Sequence, residues 1–128
     1  METRSIDFVA EQLRRCRDLG RKATLLAGPA CSNSAGIPDA AGFAALVRTR
    51  FPEAVASIGE PPLSIARCLA AIGPGHARTL LDEVVAAARV NPAHAAIAEL
   101  VRAGYVDRVF TTNCDNLGLR ACVERGIF

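Results

Sequence analysis

Two short apolar runs set the strongest limit on what this chain can fold into. Ala23-Thr24-Leu25-Leu26-Ala27 and Tyr105-Val106-Asp107-Arg108-Val109-Phe110-Thr111 are each of strand length, and each runs into a polar, turn-prone loop. The first is apolar on both faces of its alternation, which suits an interior strand of a parallel sheet. The segments between them carry helical periodicity, and strand, helices, strand calls for parallel pairing through a right-handed crossover. We therefore expect an α/β fold in which strands near Thr24 to Ala27 and Arg108 to Thr111 are parallel neighbours in a doubly wound sheet with helices on both faces. Only these two strands, with Ile127-Phe128 as the first step into a third, are visible in the sequence. A sheet of this kind needs more strands to cover its faces and edges, so residues 1–128 are expected to be the first half of a larger domain.

The helices are marked by spacing and by their ends. Ile6, Val9, Ala10, Leu13 and Cys16 recur at helical spacing with Gly20 as a stop, which predicts an amphipathic helix over Ile6 to Leu19. Phe43 to Arg50 reads as helical. Pro61-Pro62 opens a helix that Gly73-Pro74-Gly75 breaks, and another follows from His76 to Val90. Asn91-Pro92 joins an N-cap to a proline in the first helical position, and the apolar face of Ile97, Leu100 and Val101 ends at Gly104. A last helix, capped by Asp115 or Asn116, runs to Arg125 and stops at Gly126.

A chain of 128 residues, 51% hydrophobic and 22% charged, has room for one soluble domain and not for two ordinary ones. Its 15 basic and 13 acidic side chains leave a net charge of +2 and alternate in sign without a basic run, so there is no clear nucleic-acid signal. No apolar stretch reaches the roughly 18 residues of a membrane helix. Met1-Glu2-Thr3-Arg4 leads into an amphipathic segment and not into a signal-peptide core, so no membrane partner is expected and the cytoplasm is the expected compartment. Cys16, Cys31, Cys68, Cys114 and Cys122 are odd in number and never spaced Cys-x-x-Cys. Neither a disulfide framework nor a metal site is expected from them.

In a doubly wound sheet the ligand sits beyond the C-terminal ends of the strands, where the two polar loops lie. After the first strand, Gly28 permits a tight turn, and main-chain N–H groups from Ala30 through Asn33 suit a pyrophosphate cradle. After the second, Thr111-Thr112-Asn113-Cys114-Asp115 sets an amide and a carboxylate at a strand end. Plainer readings stand beside these. A loop of Gly, Pro, Ser and Asn also makes an ordinary turn, and Asn113 and Asp115 also suit the cap of the following helix. His94, two residues after the helix-opening proline, reads as a packing or hydrogen-bonding residue, and His76 as a solvated one. Ser32 has no histidine near it in sequence to make it a nucleophile.

Taken in order, Gly28-Pro29-Ala30-Cys31-Ser32-Asn33-Ser34-Ala35-Gly36-Ile37-Pro38-Asp39 and then Thr111-Thr112-Asn113-Cys114-Asp115 resemble the sirtuin family and its SIR2-like NAD-consuming relatives. Asn91-Pro92-Ala93-His94, Leu100 and Gly104-Tyr105-Val106 resemble the segment that leads into the second motif there. The resemblance implies a Rossmann-like sheet that holds NAD in an inverted orientation. It implies that Gly28, Ala30 and Ser32 line the diphosphate and the nicotinamide ribose, with Ile37 and Asp39 near the nicotinamide pocket. Asn113 would position a water or a ribose hydroxyl, while the Cys114 backbone and the Asp115 side chain would hold the carboxamide. Loss of nicotinamide would pass through an oxocarbenium-like state, which fixed dipoles and exclusion of water stabilise.

The departures from that pattern narrow the expected activity. Gly28-Pro29-Ala30 stands where the family has Gly-Ala-Gly, and Pro29 removes an N–H that a phosphate could use. Ala40 and Ala41 replace the Phe-Arg that follows Ile-Pro-Asp in the deacylases, and the paired cysteines of their zinc ribbon are missing. These differences point to an NAD glycohydrolase that releases nicotinamide and ADP-ribose. The alternatives are a catalytically incomplete module that binds a nucleotide or a partner, and, less well supported, an NAD-dependent deacylase. The family's general-base histidine and later nucleotide loops would follow Phe128, so the expected partners are NAD and either a second copy or a completing chain.

Overall fold

The computed structural model describes residues 4–56 and 64–127. In chain order its elements are α1 (Ile6–Asp18), β1 (Ala23–Ala27), a 3-10 helix (Pro29–Ala35), α2 (Ala40–Arg50), α3 (Pro52–Ala56), α4 (Ile65–Ala87), α5 (Pro92–Arg102), β2 (Val106–Thr111) and α6 (Leu117–Glu124). The chain divides into a unit made of Met1–Cys31 and Val90–Phe128 and a unit made of Ser32–Arg89.

In the first unit β1 and β2 pair in parallel, as their apolar runs predict, with Thr24 beside Arg108, Leu25 beside Val109, Leu26 beside Phe110 and Ala27 beside Thr111. The pairing reaches past both strand ends, since Ala23 N–H donates to Tyr105 O at 2.8 Å and Thr112 N–H to Ala27 O at 3.2 Å. α5 packs against both β2 and α6. Small residues line these elements, for Ala98 and Ala121 are completely buried, with Leu117 and Val106 beside them among the buried positions. Small side chains let helix axes approach closely, so the contact is dense although little volume is available. Glu99 of α5 bridges to Arg102 on its own helix and, at 3.2 Å, to Arg125 beyond α6.

The expected cover of helices on both faces of the sheet is not met among the described residues. Leu26 and Phe110, side by side in the register, are 72% and 59% exposed, and Thr24 and Arg108 on the same face are exposed as well. α1 buries none of its residues, so it does not screen that face. The Arg17 guanidinium of α1 lies 4.2 Å from the centroid of the Tyr105 ring. Ile127 is not itself in a strand. Its N–H returns to Cys122 O at 3.1 Å and Gly126 N–H to Val123 O at 3.0 Å, the paired bonds of a glycine-ended helix; Phe128 lies outside the described residues.

The second unit is helical. α2, α3 and α4 pack on one another around Phe43, Val47, Val55, Cys68, Ile72 and Leu80, and an ion pair between Arg50 and Glu83 joins α2 to α4. α3 is too short for apolar periodicity to announce it. The break expected at Gly73-Pro74-Gly75 is present as a kink inside α4, where Gly73 takes φ 76° and ψ 162°. That conformation is open only to glycine, and Pro74, which has no N–H to lose, starts the helix again. The helix opening assigned to Pro61-Pro62 lies outside the described residues; the helix begins at Ile65, capped by Ser64.

Candidate site at the strand ends

The parallel register brings the two loops together within the first unit. Ala27 and Thr111 are partners, so Gly28 and Thr112 leave the sheet side by side. Both loops are then bent by local hydrogen bonds. After β2, Thr111 Oγ1 accepts from Asn113 N–H at 3.0 Å, and Asp115 Oδ1 accepts from Leu117 N–H at 3.0 Å. The second of these bonds holds the first turn of α6, whose N-cap residue, Asn116, contributes no side-chain bond. Of the residues that sequence offered as the cap of this helix, Asp115 makes the bond and Asn116 does not.

The cap uses only one oxygen of Asp115. Its second oxygen, Oδ2, is buried and meets no hydrogen-bond donor among the described residues. A buried acceptor left without a donor costs about 1–3 kcal/mol, and such a group in a folded protein calls for an explanation. Asn113 Oδ1 is buried as well. Cys114, between them, is exposed.

After β1 the chain differs from the open cradle expected of it. Pro29–Ala35 winds into a 3-10 helix, and Cys31 N–H is already donated to Gly28 O at 3.0 Å. The proline at its head explains this: its fixed φ suits the first helical position, and it has no N–H to leave unsatisfied. Ala30 is exposed and Gly28 half-buried. Cys31 O accepts from Asn91 Nδ2 at 2.7 Å, a contact that sequence reading missed because it joins positions far apart in the chain. His94, at the start of α5, forms a capping box with Asn91 and is not a solvent-facing base.

Ser32, Ile37 and Asp39 belong to the second unit. Ser32 is completely buried, and its carbonyl accepts from Ile37 N–H at 3.2 Å. Asp39 caps α2, with Oδ1 accepting from Gly42 N–H at 2.8 Å. A side chain at Gly42 would bring a Cβ to 3.2 Å from Pro38 Cβ and 3.3 Å from Asp39 Oδ1, so the small residue there preserves the cap. His76 is exposed, with Nδ1 3.1 Å from Ile72 O.

Among the described residues no group of three or more His, Cys, Asp or Glu is placed to hold a metal ion, and no helix is long and apolar enough to cross a membrane. No protein-family model, curated protein or solved structure matches the chain.

Proposed function

We propose that the chain belongs to a SIR2-like domain that consumes NAD as a glycohydrolase, and that the loop after β2 receives the nicotinamide end. The observation that carries this reading is Asp115 Oδ2, a buried acceptor without a donor at the C-terminal end of a parallel sheet. A carboxamide offers two N–H donors in one plane, which is the complement such an oxygen needs. Asp115 would bind the carboxamide, and Asn113, on the same loop, would orient the attacking water. The ribose-to-nicotinamide bond breaks with its electron pair leaving on nicotinamide. Water adds to the ribose carbon and gives up a proton, yielding ADP-ribose and nicotinamide.

Nucleotide binding without turnover is the second reading, and Pro29 favours it. The loop after β1 has lost one N–H to proline and spends that of Cys31 on Gly28, leaving fewer donors for a diphosphate. Nicotinamide release by the whole protein separates the two. Asn113→Ala should lower that release about a hundred- to a thousandfold, the loss of about 2.7–4 kcal/mol seen when one preorganised dipole is removed. Its fold should persist, since Asp115 and not Asn113 starts α6. An Asn113→Ala protein with normal turnover would end the catalytic assignment, and a wild-type protein that binds NAD without releasing nicotinamide would favour the second reading.

A further inference from the structure

We infer that Asn91 is a positioning residue that locks the loop after β1 to the start of α5. Three bonds define it. Asn91 Oδ1 accepts from His94 N–H at 3.0 Å, His94 Nδ1 accepts from Asn91 N–H at 3.4 Å, and Asn91 Nδ2 donates to Cys31 O at 2.7 Å. The first two are the capping box of α5 and would serve any helix. The third has no part in capping and reaches across 60 positions of sequence.

The residue type follows from this double duty. Aspartate and serine cap a helix as well as asparagine does, but a carboxylate has no proton to donate, and the single oxygen of serine, although it both accepts and donates, does not span the two positions that the planar amide reaches. Asparagine carries an acceptor and a donor on one planar group, and the two contacts fix which end is which. Asn91 is 6% and His94 3% exposed, while Cys31 is half-buried, so the amide itself is shielded from water. Cys31 is also where the turn closes, since its own N–H goes back to Gly28 O. Holding its carbonyl therefore holds the turn that leaves β1, including Gly28, Pro29 and Ala30. The loop is kept in shape from outside, by a helix that arrives much later in the chain.

If the loop takes part in binding NAD, which rests on the function proposed above, Asn91 preorganises that half of the contact. The full chain as wild type, Asn91→Asp and Asn91→Ser is the material for the test. Both variants keep a capping acceptor; aspartate has no donor, the serine hydroxyl at the cap position is too short to take the place of Nδ2 at Cys31 O, and the serine carries no charge should a carboxylate facing Cys31 O prevent folding. Hydrogen exchange is read at the Cys31 amide and, as an internal control, at the Ala98 amide within α5. The Cys31 amide should exchange roughly two- to tenfold faster in the variants, the range expected for one lost hydrogen bond, with Ala98 unchanged. NAD affinity, measured by titration, should fall by a similar factor.

Cys31 protection equal to that of the wild type would overturn the clamp, whatever NAD does. Loosening of Ala98 together with Cys31 in both variants would overturn it too, because Asn91 would then be only a cap. Faster Cys31 exchange with Ala98 unchanged, in a protein whose wild type binds no NAD, would leave the clamp standing and remove the cofactor reading instead.

Discussion

The two oxygens of Asp115 sit in different surroundings, and a single substitution tests them separately. Its Oδ1 is committed to Leu117 N–H, so in Asp115→Asn the amide oxygen keeps that position and the NH2 group replaces Oδ2. The start of α6 is preserved, and the melting temperature should stay within a few degrees of the wild type. A carboxamide ligand would then face a donor where it had an acceptor. Hydrogen bonds to charged groups contribute about 1.5–3 kcal/mol, so NAD affinity by calorimetry should drop about ten- to a hundredfold. Equal affinity in the variant would detach Asp115 from the ligand and leave it a cap alone. Sequence reading reached Asp115 as a choice between cap and ligand residue, and one oxygen does serve the cap. What sequence could not supply is the burial of the other oxygen, which depends on how the chain folds around it. The same holds for Asn91, legible as a cap from the proline beside it and illegible as a clamp on Cys31.

Helix ends and strand placement were readable because each has a local cause. Gly20, Gly104 and Gly126 take positive φ at the stops their positions suggest, and β1 and β2 lie where the apolar runs put them. The 3-10 winding of Pro29–Ala35 and the short α3 escaped, since neither is long enough to build a period. Two predictions belong at this scale. At Gly73, φ 76° and ψ 162° cost a side-chain-bearing residue about 1–3 kcal/mol, so Gly73→Ala should lower stability by that amount in urea unfolding. At α5, the hydrogen bond from Arg102, with the charges of Arg102 and Arg125, outweighs desolvation and holds the Glu99 carboxyl below its ordinary range. A carboxylate depressed in this way stabilises the fold above its unfolded pKa, about 4.3, and the contribution fades as pH falls through the folded value. Glu99→Gln should therefore melt below the wild type at pH 7, with the gap closing on acidification below about pH 4. A gap that persists unchanged into acid would show that the ion pairs are not its origin.

For the molecule as a whole, the bare sheet face matters first. Leu26 and Phe110 stand 72% and 59% exposed, so replacing both with threonine removes little buried area and should cost less than about 1 kcal/mol, while keeping β-propensity. The same double variant should bind less of a hydrophobic dye and scatter less light at high concentration, because exposed apolar strand surface promotes association. Unchanged dye binding would place the sticky surface elsewhere, with the exposed Leu119 and Val123 of α6 the next to test. The parallel register has a further consequence, which concerns synthesis. β1 and its partner residues are separated in sequence by the whole of the second unit, with Ala23 matched to Val106. At the usual 5–20 residues per second, a ribosome needs about 4 to 17 s to make the stretch between them. During that interval Ser32–Arg89, a continuous segment whose helices share a core, is already synthesised in full. Leu25 and Leu26 of β1 wait for Val109 and Phe110, their partners among the described residues, until β2 emerges. A strand made before the second unit is thus paired with β2 only after it, and a nascent chain stalled before Val106 would present that strand edge to whatever binds it first.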